Sequence, residues 1–156
     1  MRTLVVIFLA MSTPLFAQES NPLIGSWKLV SQQAIVDGAA PQHTFGSNPK
    51  GYMILTHEGR MIGIGTAENR QSGSSSDADR VALHKSMFAY SGKYRIEGND
   101  LITVVDVSWN EAWNGTEQRR HFWFEAEKLI LETPPAPSLL QPGQSVVARV
   151  VWEREK

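Results

Sequence analysis

From residue 25 onward, apolar and polar residues alternate in short runs separated by turn formers, the period-two pattern of half-buried strands. Residues 25–36 open the series, with Trp27, Leu29 and Ser31 on one face and Lys28 and Val30 on the other. Asp37-Gly38 and Pro41 end that run, and a polar loop through Phe45-Gly46-Ser47-Asn48-Pro49 follows. Gly51 to Thr56 and Met61 to Ile64 read as two strands around a tight turn, His57-Glu58-Gly59-Arg60. Further strands are expected from Tyr90 to Ile96, Leu101 to Trp109, Glu117 to Glu125, Lys128 to Glu132 and Ser145 to Glu153. The stretch Pro134-Pro135-Ala136-Pro137 predicts an extended connection that pairs with nothing. One helix interrupts the series. Ser76 or Asp77 can cap it, and it is expected to run to Phe88 with Val81, Leu83, Met87 and Phe88 on its apolar face.

Eight strands joined mostly by hairpins, with no internal repeat, predict an all-β chain folded as an eight-stranded antiparallel up-and-down barrel with one short helix. The helix is expected to cover an opening or brace a wall. An early Gly25-Ser26-Trp27 and a late Trp152-Glu153-Arg154 place an indole and a guanidinium where the first and last strands meet, so the cation is expected to pack over the ring and close the barrel.

Residues 1–17 are expected to lie outside that domain. Met1-Arg2 is a short positive start, Leu4 to Ala10 an apolar run, and Pro14-Leu15-Phe16-Ala17 ends on a small residue. This is the layout of a secretory signal peptide cleaved after Ala17, and the apolar run is too short for a membrane span of about 20 residues. The domain is then read as residues 23–156, exported and either periplasmic or secreted, with no membrane span after cleavage. The chain has no cysteine, which excludes thiol catalysis, Cys-ligated metals and disulfide staples. Fifteen basic and 16 acidic residues give a net charge of −1 without a basic block, so nucleic acid is not an expected partner.

Taken in order, several segments resemble the bacterial and fungal lipocalin-like domain family, a calycin-type small β-barrel. They are Gly25-Ser26-Trp27-Lys28-Leu29-Val30-Ser31, Pro49-Lys50-Gly51-Tyr52 with Thr56-His57-Glu58-Gly59-Arg60-Met61, and Tyr90-Ser91-Gly92-Lys93-Tyr94. Val107-Ser108-Trp109-Asn110 with Trp113-Asn114-Gly115-Thr116, Gln118-Arg119-Arg120-His121-Phe122-Trp123-Phe124-Glu125, and Val151-Trp152-Glu153-Arg154 complete the series. The resemblance implies the barrel and does not choose between a carrier and an enzyme.

A pairing scheme for two neighbouring strands sharpens the candidate site. If Ser108 faces Gln118 across an antiparallel ladder, Asp106 faces Arg120, Val104 faces Phe122 and Ile102 faces Phe124, all on one side. That side is expected to line the lumen, since the other carries Arg119, His121 and Glu125, which suit solvent, at the cost of turning Trp123 outward. Asp106 and Arg120 would form an inward ion pair above an apolar floor. It would either anchor a ligand's polar head or satisfy itself and set register. Trp109 and Trp113 flank a loop at a barrel end and would stack on a ligand or plug that end, and Tyr52 would offer a hydroxyl or simply pack. The four histidines have no metal-ligand spacing, and there is no cofactor fingerprint, nucleophile elbow or phosphate loop.

The first expectation is therefore a barrel that binds a small hydrophobic or amphipathic ligand. Its expected ligand-binding residues are Tyr52, Ile102, Val104, Asp106, Trp109, Trp113, Gln118, Arg120, Phe122 and Phe124. The alternatives are a cofactor-free cyclase or isomerase in which Asp106 and Arg120 steer a proton, and a barrel filled by its own aromatics that serves as an interaction module of the cell envelope.

Overall fold

The computed structural model describes residues 21–71, 73, 76–137 and 143–156, so the segment read as a signal peptide lies outside the described residues. The chain forms β1 (Gly25–Val36), β2 (Gln42–His43), β3 (Lys50–Leu55), β4 (Arg60–Thr66), α1 (Asp77–Lys85), β5 (Met87–Glu97), β6 (Asp100–Ser108), a 3-10 turn (Glu111–Trp113), β7 (Glu117–Glu125), β8 (Lys128–Glu132), β9 (Ala136–Pro137) and β10 (Ser145–Arg154). The eight long strands pair in the order β1-β3-β4-β5-β6-β7-β8-β10, and β10 returns to β1 to close an antiparallel up-and-down barrel. The two-residue strands β2 and β9 add to β1 and β10. The proline-rich connection therefore does pair: Ala136 and Pro137 lie opposite Val146 and Ser145. Edge addition of two residues is compatible with proline, which lacks only its own N–H.

Alternation places the core. Trp27, Leu29, Met53, Leu55, Met61, Leu101, Phe122, Leu129, Leu131 and Trp152 point inward and are buried. The helix is shorter than expected. Ser76 caps it with a reciprocal box to Asp79, but it stops at Lys85, and Met87 and Phe88 belong to β5. Strand pairing of Thr66 with Met87 and Gly65 with Phe88 extends the β4–β5 ladder to that point, and no helix residue is buried.

One end is closed by the first and last strands. Trp27 lies opposite Arg154, whose guanidinium sits 4.2 Å over the indole. Arg154 also donates to the carbonyls of Pro22 (2.7 Å) and Ile24 (3.0 Å), tying down the turn that precedes β1. The Trp27 indole N–H donates to Leu23 O at 2.8 Å. Gly25 sits at φ +131°, and a Cβ there would lie 2.6 Å from the Arg154 Nη1. The glycine of the Gly-x-Trp motif thus makes room for the arginine that covers the tryptophan.

The outer wall buries residues that alternation would expose. Ile102 is fully buried between its register neighbours Arg95 and Arg119. Those guanidiniums are joined to Glu97, Glu117 and Asp100 in one network, with His121 at its edge. Trp123, a cost in any scheme that turns it outward, is met by Arg149 (5.7 Å), the His121 ring (6.1 Å) and its register partner Ile130.

The arginines hold the Glu97, Asp100 and Glu117 carboxyls below their ordinary range: chiefly Arg95 for Glu97 and Glu117, and Arg119 for Asp100. A carboxylate whose pKa is lower folded than unfolded stabilises the fold above the unfolded value, and that contribution is lost as pH falls through the folded one. The melting temperature is therefore expected to hold from pH ~7 to ~5 and to fall below about 4, less steeply in high salt. Thermal melts followed by circular dichroism check this; a melting temperature unchanged down to pH ~3 would contradict the network's role.

Candidate functional site

The register of β6 against β7 decides which side chains reach the lumen. Asp100 pairs with His121, Leu101 with Arg120, Ile102 with Arg119, Thr103 with Gln118 and Val104 with Glu117. The expected pairing of Asp106 with Arg120 is displaced by five residues. An odd displacement turns the whole of β6 over, so Leu101, Thr103 and Val105 face inward and are buried. The cause is local. Ser91 pairs with Val107 and Gly92 with Val105, which leaves Asp106 as the extra residue of a bulge. A Cβ at Gly92 would lie 2.0 Å from Val104 O, so the bulge depends on a glycine there. The chain beyond it stays with β5: Tyr90 pairs with Ser108, and Trp109 N–H donates to Ala89 O. It then folds back through Asn110, whose side chain accepts from Ala112 N–H, before β7 begins.

Asp106 consequently lies on the outer wall, where Arg60 (2.5 Å) and the Ser91 hydroxyl (2.8 Å) donate to it. Arg60 first, then Ser91, hold its carboxyl below the usual range. The inward ion pair with Arg120 does not form. Ile102 and Val104 share the outer wall with Asp106, Ile102 covered and Val104 exposed. Tyr52 is also on the outside, half-exposed, next to Lys28. Phe124 packs against Trp27 at the closed end (6.1 Å), and Phe122 is buried in the core next to it.

Trp109, Trp113 and Arg120 do come together on a cavity of about 320 Å³ inside the barrel. Its walls are mostly aromatic and thioether: Phe45, Phe88, Tyr90, Trp109, Trp113 and Trp152, with Met53, Met61 and Met87. Leu131, Ala148 and Val150 add aliphatic surface, and Gln32, Lys85, Thr133 and Arg120 the polar groups. Among the described residues no aspartate, glutamate or histidine lines it. That size lies at the lower end of the ~300–1,000 Å³ range of small-molecule pockets. Methionines adapt to different outlines, so the wall can follow a ligand's shape.

Trp113 stands edge-on to Trp109 (4.8 Å) and to Tyr90 (5.4 Å), which fixes its ring. Arg120 lies 5.8 Å from the Trp113 ring centre. Its Nη1 donates to Arg119 O and its Nη2 to Gln118 Oε1, while Gln118 Nε2 donates to Thr116 Oγ1. Gln118 thus positions the arginine and is not on the cavity wall. Among the described residues Arg120 has no carboxylate partner, unlike the network arginines Arg95 and Arg119 on the outer wall.

Two elements flank the mouth. Phe45 is buried against Phe88 (5.9 Å), and the Glu68 carboxylate fixes its loop by accepting the N–H groups of Ser47 and Asn48 at 2.9 Å each. Helix α1 approaches through His84, whose Nε2 lies 3.3 Å from Trp109 O, and presents Lys85 to the cavity. Only the C-terminal end of the helix thus reaches the cavity, and none of its residues is buried.

Sequence reasoning missed Gln32, Phe45, the three methionines, Phe88, Tyr90 and Trp152. For Met53 and Met61 the signal was present, since each alternates with outward neighbours on its strand. Trp152 was read only as part of the closing motif.

Among the described residues no helix is long and apolar enough to cross a membrane. None of them forms a group of three His, Cys, Asp or Glu side chains able to hold a metal ion. No curated protein matches the chain significantly. The family model of the lipocalin-like domain matches residues 24–155, from the turn that Arg154 clamps to the end of the closing strand. Barrel, closing motif and family model agree, and the chain belongs to the lipocalin-like domain family.

Proposed function

We propose that this protein binds a small, mostly apolar molecule in the barrel lumen, with Arg120 orienting the molecule's polar head. The observation that carries the reading is the pairing of a ligand-sized aromatic and methionine cavity with a guanidinium that has no carboxylate partner among the described residues. A guanidinium with N–H groups to spare is suited to a ligand carboxylate or carbonyl. The enzyme alternative loses its named proton carrier, because Asp106 is on the outer wall, and among the described residues no other carboxylate lines the cavity. The filled-barrel alternative requires a cavity too small for a ligand. Export, for which the residues 1–17 pattern is the support, would make this a binding protein of an extracytoplasmic compartment.

Arg120→Leu tests the assignment. Titration with 2-naphthoate, followed by quenching of tryptophan fluorescence, is expected to weaken at least about tenfold in the variant, since a hydrogen bond to a charged group contributes ~1.5–3 kcal/mol. Binding of the uncharged N-phenyl-1-naphthylamine should change by less than a factor of about three, because it draws on apolar burial alone. Equal binding of naphthoate by both proteins would remove Arg120 from the site.

A further inference from the structure

The outer wall of the barrel is not uniform. On β5 and β7 the outward positions are charged: Lys93, Arg95 and Glu97 on one strand, Glu117, Arg119 and His121 on the other. On β3 and β4 they are apolar. Tyr52 and Ile54 alternate with buried Met53 and Leu55, and Ile62 and Ile64 with buried Met61 and Gly63. Those four outward side chains are 42–48% exposed. Tyr52 pairs with Ile64 and Ile54 with Ile62, so they form one block. Ala89 adjoins Ile64, and beyond Ile62 and Ser91 comes Val107, 65% exposed. A sheet with one face in water alternates apolar with polar, whereas a continuous apolar run belongs to a strand covered on both faces.

The flanks of the block indicate what covers it. On one side Lys28, the register neighbour of Tyr52, pairs with Glu153 at 3.8 Å. On the other, Arg60 pairs with Asp106 at 2.5 Å. Each flank thus carries one cation and one carboxylate. A two-fold axis lying in the plane of contact turns this face onto its own copy, apolar block on apolar block and a flank of both signs on a flank of both signs. Cations already held by carboxylates do not make the positive rim that an anionic membrane surface attracts. The size also fits. The block and Val107 expose apolar surface on the order of 400 Å², well beyond scattered single residues. An apolar centre of that size inside a polar rim is the anatomy of an interface of ~800 Å² per partner.

We infer that two copies of the chain associate through this face, as a two-fold dimer built on β3 and β4 with Ile54 and Ile62 at its centre. The two sheets pack face to face, with their strands within about 30° of each other. Each barrel keeps its own cavity. Cavity and outer face lie on opposite sides of the same wall, so ligand binding and association are tested separately. A charge placed at Ile62 meets apolar surface across the contact and, near the axis, its own copy. One substitution therefore opposes association in two ways.

Sedimentation velocity of the purified protein over a range of about 1–200 μM tests this. The sedimenting mass is expected to rise to twice that of the chain, with half-conversion at about 10 μM or below. Ile62→Lys should weaken association at least about a hundredfold and sediment as a monomer throughout. Val81→Lys, at a residue 51% exposed but on α1, should dimerise like the wild type. In the wild-type protein the methyl resonances of Ile54, Ile62 and Ile64 should shift on dilution and those of Val81 should not, a readout that needs no variant to fold. A wild-type protein still monomeric at about 200 μM would overturn the inference. So would a dimer that persists in folded Ile62→Lys, or dilution shifts centred away from β3 and β4. Flotation of a monomeric wild type with phosphatidylglycerol vesicles, lost in Ile62→Lys, would also overturn it and assign the face to a membrane surface.

Discussion

Gly63→Leu is expected to abolish lumen binding, weakening N-phenyl-1-naphthylamine and 2-naphthoate by at least about a hundredfold, while the barrel still folds. Gly63 lies on β4 with the cavity on its inner side. A Cβ built there meets only the Met61 methyl at 3.2 Å, with Tyr90 and Phe88 at 3.8 and 3.9 Å. The Met61 side chain is flexible enough to give way. The leucine would then occupy space that the ligand needs, against the aromatic wall the ligand would contact. Its own burial offsets the ~1–3 kcal/mol typical of overpacking, so the melting temperature should stay within a few degrees or rise. The comparison variant is Gly65→Leu, where a Cβ would lie 2.4 Å from the Phe88 ring, and loss of the fold is expected. Fluorescence titration beside a thermal melt checks both. A folded Gly63→Leu protein that still binds would place the site elsewhere.

Trp27→Ala is the second large effect. Trp27 is 1% exposed and carries three connections at once: the Arg154 guanidinium above its ring, its N–H to Leu23 O, and Phe124 beside it. Truncating a buried tryptophan costs about 3–5 kcal/mol, and here it also strips Arg154 of its platform and Leu23 of its donor. For a domain of this size the melting temperature should drop by roughly 10–20 °C. Trp27→Phe keeps most of the volume and should lose only about 1–2 kcal/mol, mainly the hydrogen bond. Equilibrium urea unfolding separates the two variants. A Trp27→Ala cost below about 1 kcal/mol would mean that the closed end is not held in this way.

The fold was legible because alternation and turn residues are local signals. The bounds of β1, β7 and β8, the hairpin around Gly59, and the meeting of Trp27 with Arg154 all agree with expectation. The site was legible only where a residue's inward direction did not depend on long-range register. Arg120 and Phe122 point inward on β7 as expected, and Trp109 and Trp113 gather at the mouth. Ile102, Val104 and Asp106 were misplaced because one extra residue at the Ser91/Gly92 bulge and the folded-back Asn110 turn shift the ladder, and neither leaves a periodic trace. Met87 and Phe88 were misassigned for a related reason: their spacing suits a helix face, and only pairing with β4 makes them strand. The same shift matters for engineering. Phe122 belongs to the buried core and does not line the cavity, so enlarging it would strain the barrel, whereas Gly63 opens directly into the lumen.

The most direct measurement is native mass spectrometry of the protein purified without detergent from its own host's exported fraction. The lumen reading predicts a discrete added mass, small enough for a cavity of about 320 Å³, that disappears on denaturation and is absent from Gly63→Leu. The bare-chain mass also shows whether residues 1–17 have been removed. Bare protein in repeated preparations, together with no binding of N-phenyl-1-naphthylamine by the wild type, would contradict the account and return the barrel to a purely structural role.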